Sequence, residues 1–418
     1  MPFRSVLATA TSLVMLAFSV AWVRADEPPA VSAILTSVPG RTAYLAQATI
    51  WREPDPLTPD ALRTGPAGIF PFSFEAASAE AGIDCLFTTP GRELGGNSLK
   101  FLCTTGDRHR LRVKYWDPEL QGGNREVFAG VAASRLMWAL GFATIHALPL
   151  NLQCEGCPRD PMSGAGDRRR RFYLAQLQEF PLRHPLILSR HDRDQGWSWR
   201  ELDEAIKGLP PGPERIRQRT HFDALALLGV LIQHGDRKPE QQVLYCDAPV
   251  SLAAGQTRPW GGSDSSLVLQ EARAGSACAR AAAMVVDLGA TFGGAGRASS
   301  GGGAKMNLEA WRGKTVFKDL ENGGCRGRLT VSLAAGRDGL GDPVISDEGR
   351  RFLLQQLQRL SPAHLRAIFS AARVDKASGL AGSVREGRRA SAIDDWVAAF
   401  QDKVQQIGAQ RCQPQPGS

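Results

Sequence analysis

His234-Gly235-Asp236-Arg237-Lys238-Pro239-Glu240-Gln241-Gln242 is the stretch from which the rest of this chain is read. Before it, Glu214 to Gln233 sets Phe222, Leu225, Leu228, Leu231 and Ile232 at helical spacing; after it, Val243-Leu244-Tyr245-Cys246 is strand-like. A polar loop leaving a long apolar helix thus carries an aspartate, a lysine two places on and an amide five places on. These types suit phosphoryl transfer. The carboxylate takes the proton of an attacking hydroxyl, the ammonium offsets charge on the moving group, and the amide oxygen ligates Mg²⁺. A solvated helix-to-strand loop reads the same in isolation, so other motifs must decide.

Working outward, Ala283-Met284-Val285-Val286-Asp287-Leu288-Gly289 is an apolar strand that ends in Asp-x-Gly and sets a carboxylate at its tip. Toward the N-terminus, His109 to Trp116 alternates, with Leu111, Val113 and Tyr115 on one face and Arg112 and Lys114 on the other. A helix then begins at Arg125-Glu126, buries Val127, Val131, Ser134, Leu136, Met137 and Leu140, and stops at Gly141. Gly95-Gly96-Asn97 is a glycine turn just before the strand-like Ser98 to Cys103.

Taken in chain order, Lys114, Glu126, the Asp236 loop and Asp287 resemble the protein-kinase-like superfamily, in an atypical branch similar to phosphatidylinositol 3- and 4-kinases and to secreted kinases. The protein-kinase loop reads His-Arg-Asp-Leu-Lys-Pro-Glu-Asn, and His234, Asp236, Lys238, Pro239 and Glu240 fall in register with it. The Gly-Asp-Arg start is similar to the lipid kinases. Gln241 stands where the family has asparagine and offers the same oxygen on a stem one methylene longer. Leu288 takes the aromatic position of Asp-Phe-Gly.

The resemblance implies an α+β, two-lobed protein-kinase-like fold with a β-rich N-lobe and a mainly helical C-lobe. It implies catalytic roles for Asp236 and Lys238, phosphate contacts from Lys114, Glu126, Gly95 and Gly96, and metal ligation by Asp287 and Gln241. ATP and Mg²⁺ (or Mn²⁺) are the cofactors expected, with a protein, lipid or sugar hydroxyl as acceptor. The alternatives are a kinase-shaped scaffold without catalysis, and a nucleotidyl transferase on the same fold.

Composition bounds these readings. A chain of 418 residues, 43% hydrophobic and 22% charged, has globular values and room for two lobes. The net charge of +8 favours phosphate-bearing ligands. No basic–aromatic module marks a nucleic-acid binder. Arg4, the apolar Val6 to Val23, and Val23-Arg24-Ala25 read as a secretory signal cleaved after Ala25. An uncleaved anchor competes with that reading. The expected product is exported, periplasmic or secreted, with no stable membrane span once the signal is removed.

Eight cysteines agree with export. Proximity suggests Cys85 with Cys103, Cys154 with Cys157, and Cys246 with Cys278, leaving Cys325 for Cys412; Cys154 and Cys157 also read as half a zinc site. The expected organisation is a signal at 1–25, an extension with little core at 26–65, an N-lobe at 66–180, a C-lobe at 181–412 and a tail at 413–418. Within it, Ile69 to Phe74 and Ile83 to Phe87 read as short strands, and Tyr173 to Phe180 as strand and hinge. Arg168 to Arg171 reads as a solvated run, 247–281 as an insertion, and the glycine-rich 293–303 as the activation segment's counterpart. His221 is expected to be packed, and His234 to buttress the loop.

Overall fold

Alternation of apolar residues in the N-terminal half closes a five-stranded barrel. The computed structural model describes residues 38–90, 94, 96, 98–117, 119, 124–169, 171–178, 185–186, 196–249, 278–293, 305–318, 324–329, 331–332, 335–379 and 393–412. The expected signal, Gly95, the expected tail, and most of the expected insertion and glycine-rich segment lie outside them. The barrel order is β1 (Ile83–Thr88), β2 (Lys100–Thr104), β3 (Arg110–Tyr115), then β7 (Arg171–Gln178) and β4 (Ala147–Glu155). All neighbours are antiparallel except β1 and β4, whose parallel pairing, Ile83 opposite Leu152, closes the ring.

Val113, Tyr115, Leu148, Leu150, Phe172 and Leu177 fill the barrel, with the Phe101, Tyr115 and Phe172 rings 5.1–5.5 Å apart. One disulfide, Cys85–Cys103, staples β1 to β2, and a second, Cys154–Cys157, closes the turn after β4. No zinc half-site therefore exists there. The turn leads into a hairpin of β5 (Pro158–Asp160) and β6 (Ala165–Arg168). Arg169, expected in a solvated run, instead donates to the fully buried Asp117 at 2.5 Å.

Between β3 and β4 runs the Glu126–Ala139 helix, buried from Glu126 to Met137 because it is wedged between the barrel and the helices beyond. The second lobe is mainly helical. Trp199–Lys207 starts with a capping box of Ser198 and Glu201, and Pro213–Leu231 is the buried spine, packed on Asp347–Gln358. Phe292, Trp311, Phe369, Trp396 and Phe400 form an aromatic cluster under Ile393–Ala409, which Cys325–Cys412 ties down. A small sheet of β8 (Pro185–Leu186), β9 (Gln242–Pro249) and β10 (Cys278–Val285) follows the spine. The side chains of Cys246 and Cys278 are outside the described residues. The result is α+β, as expected, with a β-rich first lobe and a helical second lobe.

Two further expectations fail. Ile69 to Phe74 is no strand: Ser73 accepts from the Ala76 amide at 3.2 Å and caps a short helix, Phe74–Ser78. The described part of the expected extension does belong to a core. Helices Val38–Gln47 and Pro59–Thr64 bury Leu45, Ala46 and Leu62 in the large cluster, the segment between them adds Ala48 and Ile50, and Gln218 donates to the carbonyls of Ala46 and Ala48 at 3.1 Å. Proline-rich composition hid apolar positions spaced for two short helices.

Candidate active site

Lys114 sits near the end of β3 with 1% of its side chain exposed, and a lysine so buried needs opposite charge around it. It has two such partners. Its Nζ donates to Glu126 Oε2 at 2.7 Å and to Asp287 Oδ1 at 3.2 Å, joining the first turn of the helix to a loop 173 residues away. Burial pulls the ammonium's pKa down, but Asp287 and Glu126 outweigh it and hold it above the ordinary lysine value.

Glu126 is as heavily used. Ser98 Oγ donates to its Oε2 at 2.5 Å, and Lys305 Nζ lies 2.5 Å from its Oε1. Burial alone raises a carboxyl; here Lys114 and Lys305 prevail and hold Glu126 well below the usual range. Gly289 shows how tight this corner is, since a Cβ there would stand 2.7 Å from Glu126 Oε2. The Asp-x-Gly glycine is required by that approach rather than by a left-handed turn, which it does not make.

The His234–Gln242 loop lies alongside the Asp287 loop because backbone bonds join them. Phe292 N donates to Ile232 O at 2.6 Å, Gly235 N to Ala290 O at 3.3 Å, and Val286 N to Gln241 O at 2.9 Å. The β9–β10 register, Gln242 opposite Val285, leaves Gln241 and Asp287 at adjoining strand ends. Within the loop the side chains divide. Arg237 is fully buried, 3.8 Å over the Trp199 ring, and donates to His234 O at 3.1 Å. His234 is buried beside Trp199 with no hydrogen-bond partner for its ring among the described residues. Both therefore support the loop, as expected for His234. His221 packs at a tilt against the rings of Trp51 and Phe352 and is likewise a packing residue.

Asp236 and Lys238 remain partly exposed, with Lys238 Nζ 3.4 Å from Asp236 Oδ2 and Ser332 Oγ 3.4 Å from Oδ1. Burial, with the like charge of Asp287, raises the Asp236 pKa against the opposing pull of Lys238. Asp236 and Asp287 are thus near enough for their charges to interact. A separate cavity of about 270 Å³ lies beside Pro239, lined in part by Arg41, Arg200, Glu201 and Asp338; none of the cleft carboxylates lines it.

Four contributors escaped the sequence reading: Ser98, Lys100, Lys305 and Ser332. Lys100 is directly opposite Lys114 on the β2–β3 ladder, 3% exposed, and donates to Gly96 O at 3.4 Å. Burial, then the charges of Lys114 and Arg112, lower its pKa to about 8. Its signal was available: a hairpin centred on Asp107 pairs positions 100 and 114. Gly96 adopts φ +82° in the turn above it, and a Cβ there would be 3.3 Å from Lys100 Nζ. Lys305 and Ser332 carried no such signal, because tertiary contacts alone bring them to the cleft.

Asp287 is a residue that could hold a divalent cation, and no group of three or more His, Cys, Asp or Glu side chains placed for a metal occurs among the described residues. Asp287 Oδ1 takes both Lys114 and the Gly289 amide at 3.1 Å, and a quarter of the side chain is exposed. Mg²⁺ needs few protein ligands beyond substrate oxygens, and Gln241 lies at the adjoining strand end. No family model matches this chain, and no curated protein does. Among solved structures, the crystal structure of a Helicobacter pylori proinflammatory kinase, CtkA, is similar over 78% of this chain and 94% of that one, at 11% identity and a TM-score of 0.33.

Proposed function

We propose that this cleft binds a nucleoside triphosphate, ATP, with Mg²⁺ or Mn²⁺, and transfers its terminal phosphoryl group to a hydroxyl. The observation that carries the proposal is the Lys114 ammonium shared between Glu126 and Asp287. A buried lysine fixed by one acid beside a second, partly exposed acid is a frame for phosphates and a cation. Lys114 contacts the phosphates, Glu126 fixes Lys114, and Gly96 borders the site in the turn above Lys100. Asp287 and Gln241 are the residues that would hold the metal, which when bound neutralises phosphate charge. Asp236 orients the acceptor hydroxyl and takes its proton, and Lys238 offsets the charge that develops. The acceptor is a protein, lipid or sugar hydroxyl. The three described disulfides support the further proposal that the protein is exported after cleavage behind Ala25; N-terminal sequencing of the mature protein tests it.

Thermal melting with ATP and either metal tests the site itself. A rise in melting temperature is expected, lost in Asp287→Ala and retained in Asp236→Asn, whereas phosphate transfer is lost in both. Because Asp236 has a raised pKa and must be ionised to act, transfer should decline on acidification at a higher pH than for an ordinary aspartate. No shift with either metal would favour a scaffold without catalysis, and addition of AMP instead of phosphate would favour a nucleotidyl transferase.

A further inference from the structure

The hydroxyl groups of the cleft are not equivalent. Ser98 Oγ donates to Glu126, and Thr291 Oγ1, fully buried, donates to Leu288 O at 2.8 Å. Ser332 Oγ alone among these three donates to Asp236, at 3.4 Å from Oδ1. Its backbone is pinned there, for Ser332 N donates to Gly235 O at 2.7 Å, the residue next to Asp236. The same Oγ accepts from the Ala335 amide at 3.3 Å, which leaves a lone pair uncommitted. Ser332 is only half-buried. A serine whose proton faces a carboxylate while its oxygen keeps a lone pair is arranged as a nucleophile.

We propose that Ser332 is an acceptor within the chain itself, a site of intramolecular autophosphorylation. The proposal rests on the nucleotide reading above and specifies one acceptor for it. In the step, a bond forms from Ser332 Oγ to the terminal phosphorus as the bond from that phosphorus to the bridging oxygen breaks. The hydroxyl proton passes to Asp236, and the nucleoside diphosphate leaves. Nothing is oxidised or reduced. The new phosphate would carry close to two negative charges beside Lys238, whose Nζ already stands 3.4 Å from Asp236. It would also lie in front of the carboxylate that an external acceptor needs, so the modified protein should be a weaker transferase.

The experiment incubates the full chain with ATP and Mg²⁺ or Mn²⁺, followed by intact-mass measurement and peptide mapping. One added phosphate on the peptide containing Ser332 is expected, at a rate per molecule that does not change when the protein is diluted tenfold. Ser332→Ala should lose that phosphate, and Ser332→Thr should carry it as phosphothreonine. Mapping of the unsubstituted chain and of Ser332→Thr decides the matter even where the alanine variant folds poorly. A nucleotide-dependent rise in melting temperature with Ser332 unmodified, or with phosphate only elsewhere, overturns this inference and leaves the nucleotide reading standing. A rate that scales with protein concentration overturns its intramolecular form. Absence of both melting shift and phosphate sinks the two together.

Discussion

At the scale of single residues the molecule buries ionisable groups freely, and His234 shows the consequence. Its ring is 2% exposed and faces Trp199, with Arg237 and, farther off, Asp287 as the charges around it. Burial, then the Arg237 charge, lowers its pKa to about 3 against an ordinary value of 6.5. The unfolded chain therefore takes up this proton first on acidification. Stability linked to the neutral ring is complete above pH 6.5 and is lost progressively as pH falls toward the folded value, by about 1.4 kcal/mol per unit. Between pH 6.5 and 5 that amounts to roughly 2 kcal/mol from this residue. His234→Phe keeps a ring against Trp199 and removes the titration, so its urea unfolding free energy should fall less between pH 7 and pH 5 than that of the parent. Equal losses in the two proteins would refute the assignment.

At the scale of elements, covalent ties supplement packing where helices are added late in the chain. The Ile393–Ala409 helix lays Trp396 and Phe400 on Trp311 and Phe369, and Lys403 places its Nζ 5.2 Å from the Trp311 ring centre. Cys325–Cys412 closes 87 residues around that contact. Removing a cross-link over so long a loop costs about 2–4 kcal/mol through the freer unfolded chain. Cys412→Ser should lower the urea midpoint accordingly, and Cys325→Ser/Cys412→Ser should fall no further, since both remove one bond; a double variant markedly weaker than the single one would contradict this. Elements of this kind were readable wherever local pattern and tertiary demand agree. The long helix before His234, the alternating strand of Lys114 and the apolar strand before Asp287 all satisfy periodicity and burial together. Ile69 to Phe74 was misread because the Ser73 cap outweighs its apolar run. The Gly289 requirement was invisible for another reason: Glu126, the group that forbids a side chain there, lies 163 residues earlier in the chain.

For the whole molecule, one hydrophobic core joins the Glu126–Ala139 helix to the helical lobe, the barrel interior is a second cluster, and polar ties add to this packing at several places. At the cleft the ties are ionic, Lys114 with Asp287 and Lys305 with Glu126, beside a bond from Arg125 Nη1 to Met306 O at 3.2 Å. Behind it, Thr144 bridges to Val285 and Thr49 to Ala282. At the back, Arg373 reaches from the end of the Pro362–Ala371 helix to the barrel, with Nη1 2.9 Å from Asn151 Oδ1 and 3.2 Å from Tyr173 O. This last tie touches none of the residues assigned to phosphate or metal, so it isolates the mechanical question of how the barrel is seated. Hydrogen bonds from a charged donor contribute about 1.5–3 kcal/mol when they are removed from partly buried sites. Arg373→Ala should therefore destabilise by an amount in the lower part of that range. Amide exchange should quicken at Ala147–Glu155 and Arg171–Gln178 while Pro213–Leu231, inside the helical lobe, keeps its protection. If exchange instead rises equally in both lobes, the arginine supports global stability rather than the seating of one lobe on the other. A nucleotide that draws the cleft together through Lys114 and Asp287 should then recover part of the lost protection in the two strands, because the cleft ties and the back tie restrain the same barrel from opposite sides.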